Sequence, residues 1–504
     1  MKISDSKSMA KEEEEEEEEP VSPTGRMMQA PKFNLFIIIL MGYNTKIEPS
    51  LYKKCMQQTL LKHPRFSSTL VASGGRFRWR RTAVDIDSHV FVPEVGPAAV
   101  ESPDEFVADY ASSLSEIPMD TAKPLWEFHI LNVKTSDAEA VVVMKIHHSL
   151  GDGVSLIALT HACSRKIHDP DSLPVLPASN NPRKGGSGGA AMRLLKAVWT
   201  VVLILFYTLV DMTAFVATLL FLRDVQTPVR AGRGVKLCRK RFVHRIVSLD
   251  DVKLIKNAMN VSVNDVMIGV TEAGLSRYLN TAYEENRENG AEINEKSSNF
   301  LPRNLGIRST VVFNLRSSPT IEDLAEMMEK EELNGMWGNI IAIVLIPFGI
   351  DLQVDPLTYI RRAKSTMDRK KLSLAHKWAC VVMKLTTSMF GIKAPARMTR
   401  TVFRNTTFSF SNVMGPTEEV YLFGHHLSYI APSVCGFPQS LIFHYQSYAD
   451  KLIISIGADE KLIPNPYQLC DDLIGSLQNI KEAVIERGRE KEKKNESNLA
   501  KIPK

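Results

Sequence analysis

An α+β fold built in two halves is what this sequence predicts, and three observations predict it. Helix-like and strand-like patterns alternate over residues 20–176, a second mixed unit runs over 242–487, and residues 177–241 between them belong to neither. At 504 residues the chain exceeds one ordinary core. Hydrophobic residues at 44% and charged residues at 24% are the proportions of a folded globular protein, so a large buried core is expected.

Residues 1–19 are polar and low in complexity, closing on eight consecutive glutamates, Glu12 to Glu19, and read as a disordered acidic tail. No basic n-region leads into an apolar stretch there, which argues against a cleaved signal peptide. Without those eight carboxylates the formal charge rises from +5 to +13, so the folded part is basic. A basic body can meet phosphate or anionic lipid. The charges are spread along the chain without a nucleic-acid motif, so no nucleic-acid partner is expected and a solvated surface is the plain reading.

Phe33 to Met41 is too short to span a bilayer and reads as a buried strand. Trp126 to Val133 and Ala140 to Ile146, separated by the turn residues Thr135-Ser136-Asp137, read as an antiparallel pair. The stretch 177–193 contains Gly185-Gly186-Ser187-Gly188-Gly189 and reads as a flexible linker. In the second half, Phe242 to Val247 leads into helices opened by Ser248-x-x-Asp251 and Ser262-x-x-Asp265, both capping-box variants. Later strands are expected at Thr310–Leu315, Ile340–Pro347, Thr407–Phe410, Ser440–Gln446 and Leu452–Ile456. A last helix over Tyr467–Ile485 precedes a charged tail, 488–504. The six cysteines, Cys55, Cys163, Cys238, Cys380, Cys435 and Cys470, lie far apart with no C-x-x-C pair, so neither a zinc cage nor a disulfide framework is suggested.

The sharpest feature is His147-His148-Ser149-Leu150-Gly151-Asp152-Gly153, an HHxxxDG heptad. A β-branched run, Val141 to Ile146, delivers the histidines at a strand end, and an apolar helix from about Val154 to Ser164 follows. Strand, polar turn and helix together place side chains at the edge of a rigid sheet. Histidine suits a general base because its ordinary pKa of about 6.5 leaves it largely neutral near pH 7. An alcohol hydroxyl is a poor nucleophile until such a base takes its proton. Asp152 either orients His148 or turns away to pair with a buried arginine and brace the loop. The flanking Gly151 and Gly153 favour bracing, because they let the backbone turn sharply. A histidine pair that merely packs is the plain alternative. His425-His426, with no carboxylate four positions on, is such a pair and is assigned no chemistry. No third ligand stands at metal-binding spacing, so no metal is expected.

With these residues in place the sequence resembles the wax ester synthase/diacylglycerol acyltransferase family, in its plant-type branch. The heptad alone also fits chloramphenicol acetyltransferases, plant BAHD acyltransferases and condensation domains. Glu19-Pro20-Val21-Ser22-Pro23, His63-Pro64-Arg65-Phe66, Pro124-Leu125-Trp126, Asn264-Asp265, Asn314-Leu315-Arg316, Gly338-Asn339 and Ser411-Asn412-Val413-Met414-Gly415-Pro416 narrow the choice. The DFGWG element of BAHD enzymes is absent. The resemblance covers about residues 19–490. It implies two chloramphenicol-acetyltransferase-like halves, mixed sheets with flanking helices, with a tunnel between them. Acyl-CoA serves as co-substrate, a fatty alcohol or diacylglycerol as acceptor, and no cofactor is needed. His148 acts as base and His147 supports the loop. Asn264, Ser411 and Asn412 are candidates for substrate or oxyanion contact, with Asp265 as either a contact or a helix cap. Two other readings stay open: the same chemistry on a short or aromatic alcohol, and a silent lipid-binding protein.

Ala197 to Leu222 is apolar except for Asp211 and long enough to cross a bilayer. One crossing, however, would put His148 and the second half on opposite faces of the membrane. Basic residues on both flanks, Arg193 and Lys196 before and Arg223, Arg230 and Arg233 after, fit two cytosolic ends. A membrane-embedded hairpin turning near Asp211, or an interfacial helix, is therefore expected, with a buried crossover helix as the alternative. By resemblance the site is the endoplasmic reticulum membrane, with the cell membrane second and the catalytic halves facing the cytosol.

Overall fold

A computed structural model describes residues 18–30, 33–73, 76–96, 101–169, 172–174, 190–230, 232, 239–288, 299–303, 305–316 and 337–499. The acidic run before Glu18, the glycine-rich linker over 177–189 and part of the basic cluster after Arg230 lie outside the described residues.

The strands in chain order are β1 (Glu18–Pro20), β2 (Phe36–Tyr43), β3 (Ser68–Ser73), β4 (Arg76–Arg81), β5 (Val90–Phe91), β6 (Trp126–Leu131), β7 (Ala140–His147), β8 (Ser164–Lys166), β9 (Lys240–Ser248), β10 (Leu305–Asn314), β11 (Ile341–Ile350), β12 (Phe408–Met414), β13 (Val420–Leu422), β14 (His425–Cys435), β15 (Leu441–Tyr448) and β16 (Lys451–Asp459). The helices are α1 (Pro23–Met27), α2 (Pro49–Gln58), α3 (Pro103–Glu116), α4 (Gly153–Cys163), α5 (Ala190–Leu220), α6 (Leu249–Met259), α7 (Val263–Glu288), α8 (Leu357–Leu372), α9 (Ala375–Phe390), α10 (Lys393–Asn405) and α11 (Pro466–Leu499).

Two mixed sheets carry the two halves. One runs β5-β6-β7-β2-β14-β13-β8 and the other β11-β10-β12-β15-β16-β9. The expected hairpin is present: β6 and β7 are antiparallel, with Trp126 opposite Ile146. Trp126 is fully buried and its indole donates to the Phe66 carbonyl at 2.8 Å, so Pro124-Leu125-Trp126 packs the core beside the histidine strand. Behind the second sheet, α7 sits in its own apolar core with Val266, Met267, Ile268 and Val270 all buried.

Four expectations are corrected. The division at residue 242 is not followed by β13 and β14, which leave the second half and join the first sheet, Cys435 opposite Phe36. The disorder expected through residue 19 ends sooner. Glu18–Pro20 pairs with β4, and the Glu19 carboxylate is held by the buried Arg65 guanidinium. The last helix, expected to end at Ile485, runs on through the charged tail as far as Leu499, in keeping with the Lys, Arg and Glu there, which are good helix formers. Finally, no hairpin turns at Asp211. Helix α5 is continuous from Ala190 to Leu220, because Asp211 need not face lipid: its carboxylate accepts from the buried Lys370 ammonium at 2.6 Å.

Candidate active site

Strand β7 brings the histidines to the junction between the halves. All eight of its residues are buried and it is paired on both sides, so the chain leaves the sheet at His147 with its direction set. His148 follows directly, its N–H donating to the Leu35 carbonyl at 2.9 Å. Helix α4 then starts at Gly153, capped by Asp152, whose carboxylate accepts the Ser155 N–H at 3.0 Å.

The ring of His148 is 8% exposed and rests against a residue of the second half. Its Nδ1 lies 3.0 Å from Asn339 Oδ1, and Asn339 Nδ2 donates to the His148 carbonyl at 2.7 Å. The second bond fixes which way the amide faces, so the amide oxygen accepts and Nδ1 carries the proton. Nε2 is left with its lone pair, and among the described residues no hydrogen bond occupies it. Burial holds the pKa of this ring below 6.5, opposed by its hydrogen bonds and the Asp152 charge. Neutral, with one open lone pair, it has the form a general base requires.

His147 is engaged at both ring nitrogens. Nδ1 accepts the Ser149 N–H at 3.1 Å, so Nε2 carries the proton and donates to Asn34 Oδ1 at 2.8 Å. Burial lowers its pKa to about 3, and the ring meets Phe36 edge-on at 5.3 Å. Such a ring braces a loop and exchanges no proton near neutrality.

Asp152 faces away from His148. It takes two bonds from Arg316, at 2.9 and 3.1 Å, and the Ile340 N–H at 3.0 Å. Both side chains of the pair are essentially inaccessible. Arg316 also donates to Ser155 Oγ at 2.9 Å and to the Gly338 carbonyl at 2.8 Å. The pair therefore clamps the residues on either side of Asn339 to the heptad. The glycines turn out to be small for lack of space, since neither has positive φ. A Cβ on Gly151 would stand 3.0 Å from that of Ser155, and one on Gly153 would stand 3.3 Å from Val413.

Val413 belongs to β12, so that contact brings the Ser411–Met414 strand end to the heptad. Asn412 Nδ2 donates to Asn264 Oδ1 at 3.5 Å, joining β12 to the first turn of α7. Asp265 closes a reciprocal capping box with Ser262, at 2.8 and 3.2 Å, and is buried. His425, of the unassigned pair, accepts the Glu48 N–H at 3.0 Å and serves a helix start.

Three participants were not singled out in the sequence. Asn339 and Arg316 stood within motif segments, yet they lie 191 and 164 residues from the residues they hold, and no spacing rule reaches that far. The third, His444 on β15, sits opposite Ser411. It is 8% exposed, its Nδ1 has no hydrogen-bond partner, and burial, then the nearby His148, lower its pKa to about 3. A lone histidine inside a strand carries no signal of that kind. Among the described residues no cluster of three or more His, Cys, Asp or Glu is placed to hold a metal.

Comparison with known proteins gives three findings. Residues 49–267 match the wax ester synthase/diacylglycerol acyltransferase catalytic domain, and residues 337–481 match the WS/DGAT C-terminal domain. Wax ester synthase/diacylglycerol acyltransferase 11 of Arabidopsis thaliana is 46% identical over 475 residues, covering 93% of this chain and 96% of its own. Among solved structures, the wax ester synthase/diacylglycerol acyltransferase from Marinobacter aquaeolei VT8 superposes with a TM-score of 0.55 at 17% identity, over 92% of this chain and 99% of its own. A starter condensation domain of rhizomide synthetase, in complex with C8-CoA and Leu-SNAC, superposes with a TM-score of 0.51 at 10% identity, over 93% and 95%. These two structures share the two-lobed α+β fold.

Proposed function

This chain belongs to the wax ester synthase/diacylglycerol acyltransferase family, and on that premise we propose that it moves a long-chain acyl group from acyl-CoA to a fatty alcohol, with diacylglycerol as a second acceptor and His148 as the general base. That it is an acyltransferase follows from the family itself.

The observation that carries the reading is the open Nε2 lone pair of His148, fixed by the proton that Nδ1 gives to Asn339. Nε2 takes the hydroxyl proton as the alcohol oxygen attacks the thioester carbonyl. A C–O bond forms, the carbonyl electrons move to oxygen, and the imidazolium stands beside a tetrahedral oxyanion. Collapse re-forms the carbonyl and breaks the C–S bond, and the imidazolium returns its proton to the CoA thiolate. No acyl-enzyme is formed and no cofactor takes part. Asn264, with its Oδ1 engaged by Asn412, keeps an amide N–H pair for the oxyanion. Ser411 and His444 stand side by side on the paired strands β12 and β15. Asp152, Arg316 and His147 position the base, and Asp265 acts as a cap.

From helix α5 we infer that this chemistry takes place at a membrane surface, that of the endoplasmic reticulum, with both halves cytosolic. Met192–Leu220 is apolar enough to cross a bilayer, and most of its residues are exposed, with Asp211 and Thr218 buried. Yet Asp152 and His148 of the first half are bonded to Arg316 and Asn339 of the second, so the helix joins two parts of one body. Lying in the interface, it lets both halves stay on one side.

The test is purified protein with labelled palmitoyl-CoA against long, short and aromatic alcohols and diacylglycerol. Long alcohols are the expected acceptors, and transfer to short or aromatic alcohols alone would support the other acceptor class. His148→Ala is expected to lose roughly 10²–10⁴-fold in turnover with an unchanged melting temperature. Undiminished esterification by that variant removes the base assignment.

A further inference from the structure

Helix α9 is apolar, yet none of its 16 residues is buried. Val381, Leu385 and Met389, spaced four apart, form an outward stripe exposed at 54%, 56% and 70%, continued by Phe390 at 67%. Its other side, Ala379, Val382, Met383 and Thr386, lines a cleft closed by Phe215 of α5, Ile343 of β11, and Met398 and Val402 of α10. A helix apolar on both faces has an outer face that still lacks a partner.

The charge around it points to one partner. Residues 375–405 hold six basic side chains, Lys377, Lys384, Lys393, Arg397, Arg400 and Arg404, and no carboxylate. Among the described residues none of the six forms an ion pair. Basic stems beside an apolar stripe, ending in free cations, match the headgroup layer of an anionic bilayer. The stripe is also continuous with α5, since Phe215 meets Trp378 at 5.8 Å and Thr208 Oγ1 accepts the Leu374 N–H at 2.9 Å. The outer faces of α5 and α9 thus form one apolar surface.

Strand β11 ties the wall of this cleft to the segment that holds the base. Ile343 lies four residues beyond Asn339, about 13 Å of extended chain, and packs on the small cluster of Met27, Met28, Phe33 and Leu35. Leu35 is the residue whose carbonyl holds the His148 N–H. The cleft encloses only about 40 Å³. An alkyl chain passes it when Met383 and Met398, unbranched and rich in rotamers, swing aside.

Resting on the acyl-transfer reading above, we propose that the hairpin Ala375–Asn405 is a second, cationic lipid-docking element, and that the cleft beneath it is the port through which the acceptor's alkyl chain passes from an anionic bilayer to the site.

The full-length protein is floated with phosphatidylcholine vesicles, with and without phosphatidylserine, and assayed with hexadecanol in the vesicles and with octanol in buffer. Phosphatidylserine is expected to raise binding of the parent protein. Leu385→Glu/Met389→Glu, with α5 intact, is expected to lose roughly tenfold or more in flotation and hexadecanol transfer. Octanol transfer, the check on folding, is expected to hold. Lys377→Gln/Lys384→Gln, a milder change, is expected to lower binding only where phosphatidylserine is present, by about fivefold per cation. Val382→Trp is expected to float normally and to raise KM for hexadecanol but not octanol. Unchanged flotation of both surface variants, or parental use of hexadecanol by Val382→Trp, overturns the proposal while leaving acyl transfer standing. An unmodified protein that transfers acyl groups to neither alcohol counts against the function itself.

Discussion

Removing the Asp152 carboxylate tests whether it braces the loop or acts on His148. In Asp152→Ala the Arg316 guanidinium, whose side chain is 1% exposed, loses both bonds it gives to that carboxylate, and the Ser155 and Ile340 N–H groups lose their acceptor. Breaking a buried ion pair by removing one member costs about 3–5 kcal/mol, with the lost helix cap included in the larger figure. For a domain of this kind that lowers the melting temperature on the order of 10 °C. Turnover falls as well, because the Ile340 bond holds the backbone beside Asn339. The assay is thermal melting alongside single-turnover acyl transfer below the melting range. Asp152→Ala/Arg316→Leu removes the whole pair, and its loss of stability is expected to be smaller than the sum of the two single losses. A single variant that melts like the parent yet has lost turnover would refute bracing and return Asp152 to direct contact with the base.

Three further predictions follow from the same geometry. Asn339→Ala frees His148 Nδ1 and its tautomer, so kcat should fall about tenfold, the equivalent of one hydrogen bond of roughly 1.4 kcal/mol, with KM nearly unchanged; a change in KM alone would contradict this. In a pH profile, His148 must be unprotonated to act, and burial sets its pKa below 6.5. Activity should therefore hold as pH falls through 6.5 and decline only below it, and an acid limb at or above 6.5 would argue for another base. Glycosylation tags placed at residues 185 and 235, on either side of α5, should both stay unmodified in the active enzyme, and labelling of one alone would mean that the helix crosses.

The two-half fold, the β6–β7 pair and the helix caps Ser248 and Ser262, of which only Ser262 closes a reciprocal box with its aspartate, were legible because they rest on local signals: hydrophobic period, turn residues and cap spacing. The heptad was legible for the same reason, its residues being adjacent in the chain. What tertiary structure alone decided depends on residues far apart in sequence. Asn339 rather than Asp152 holds the His148 ring, Arg316 neutralises Asp152, and His444 faces the site from β15. Strand β14 crosses to the first sheet because β2 offers an unpaired edge, something no window of sequence shows. Asp211 looked like a turn in a hydropathy plot because the plot cannot see Lys370, 159 residues away, whose ammonium lets one straight helix keep a buried charge. Composition and period determine which elements form, whereas the protonation of a ring and the satisfaction of a charge depend on what those elements meet.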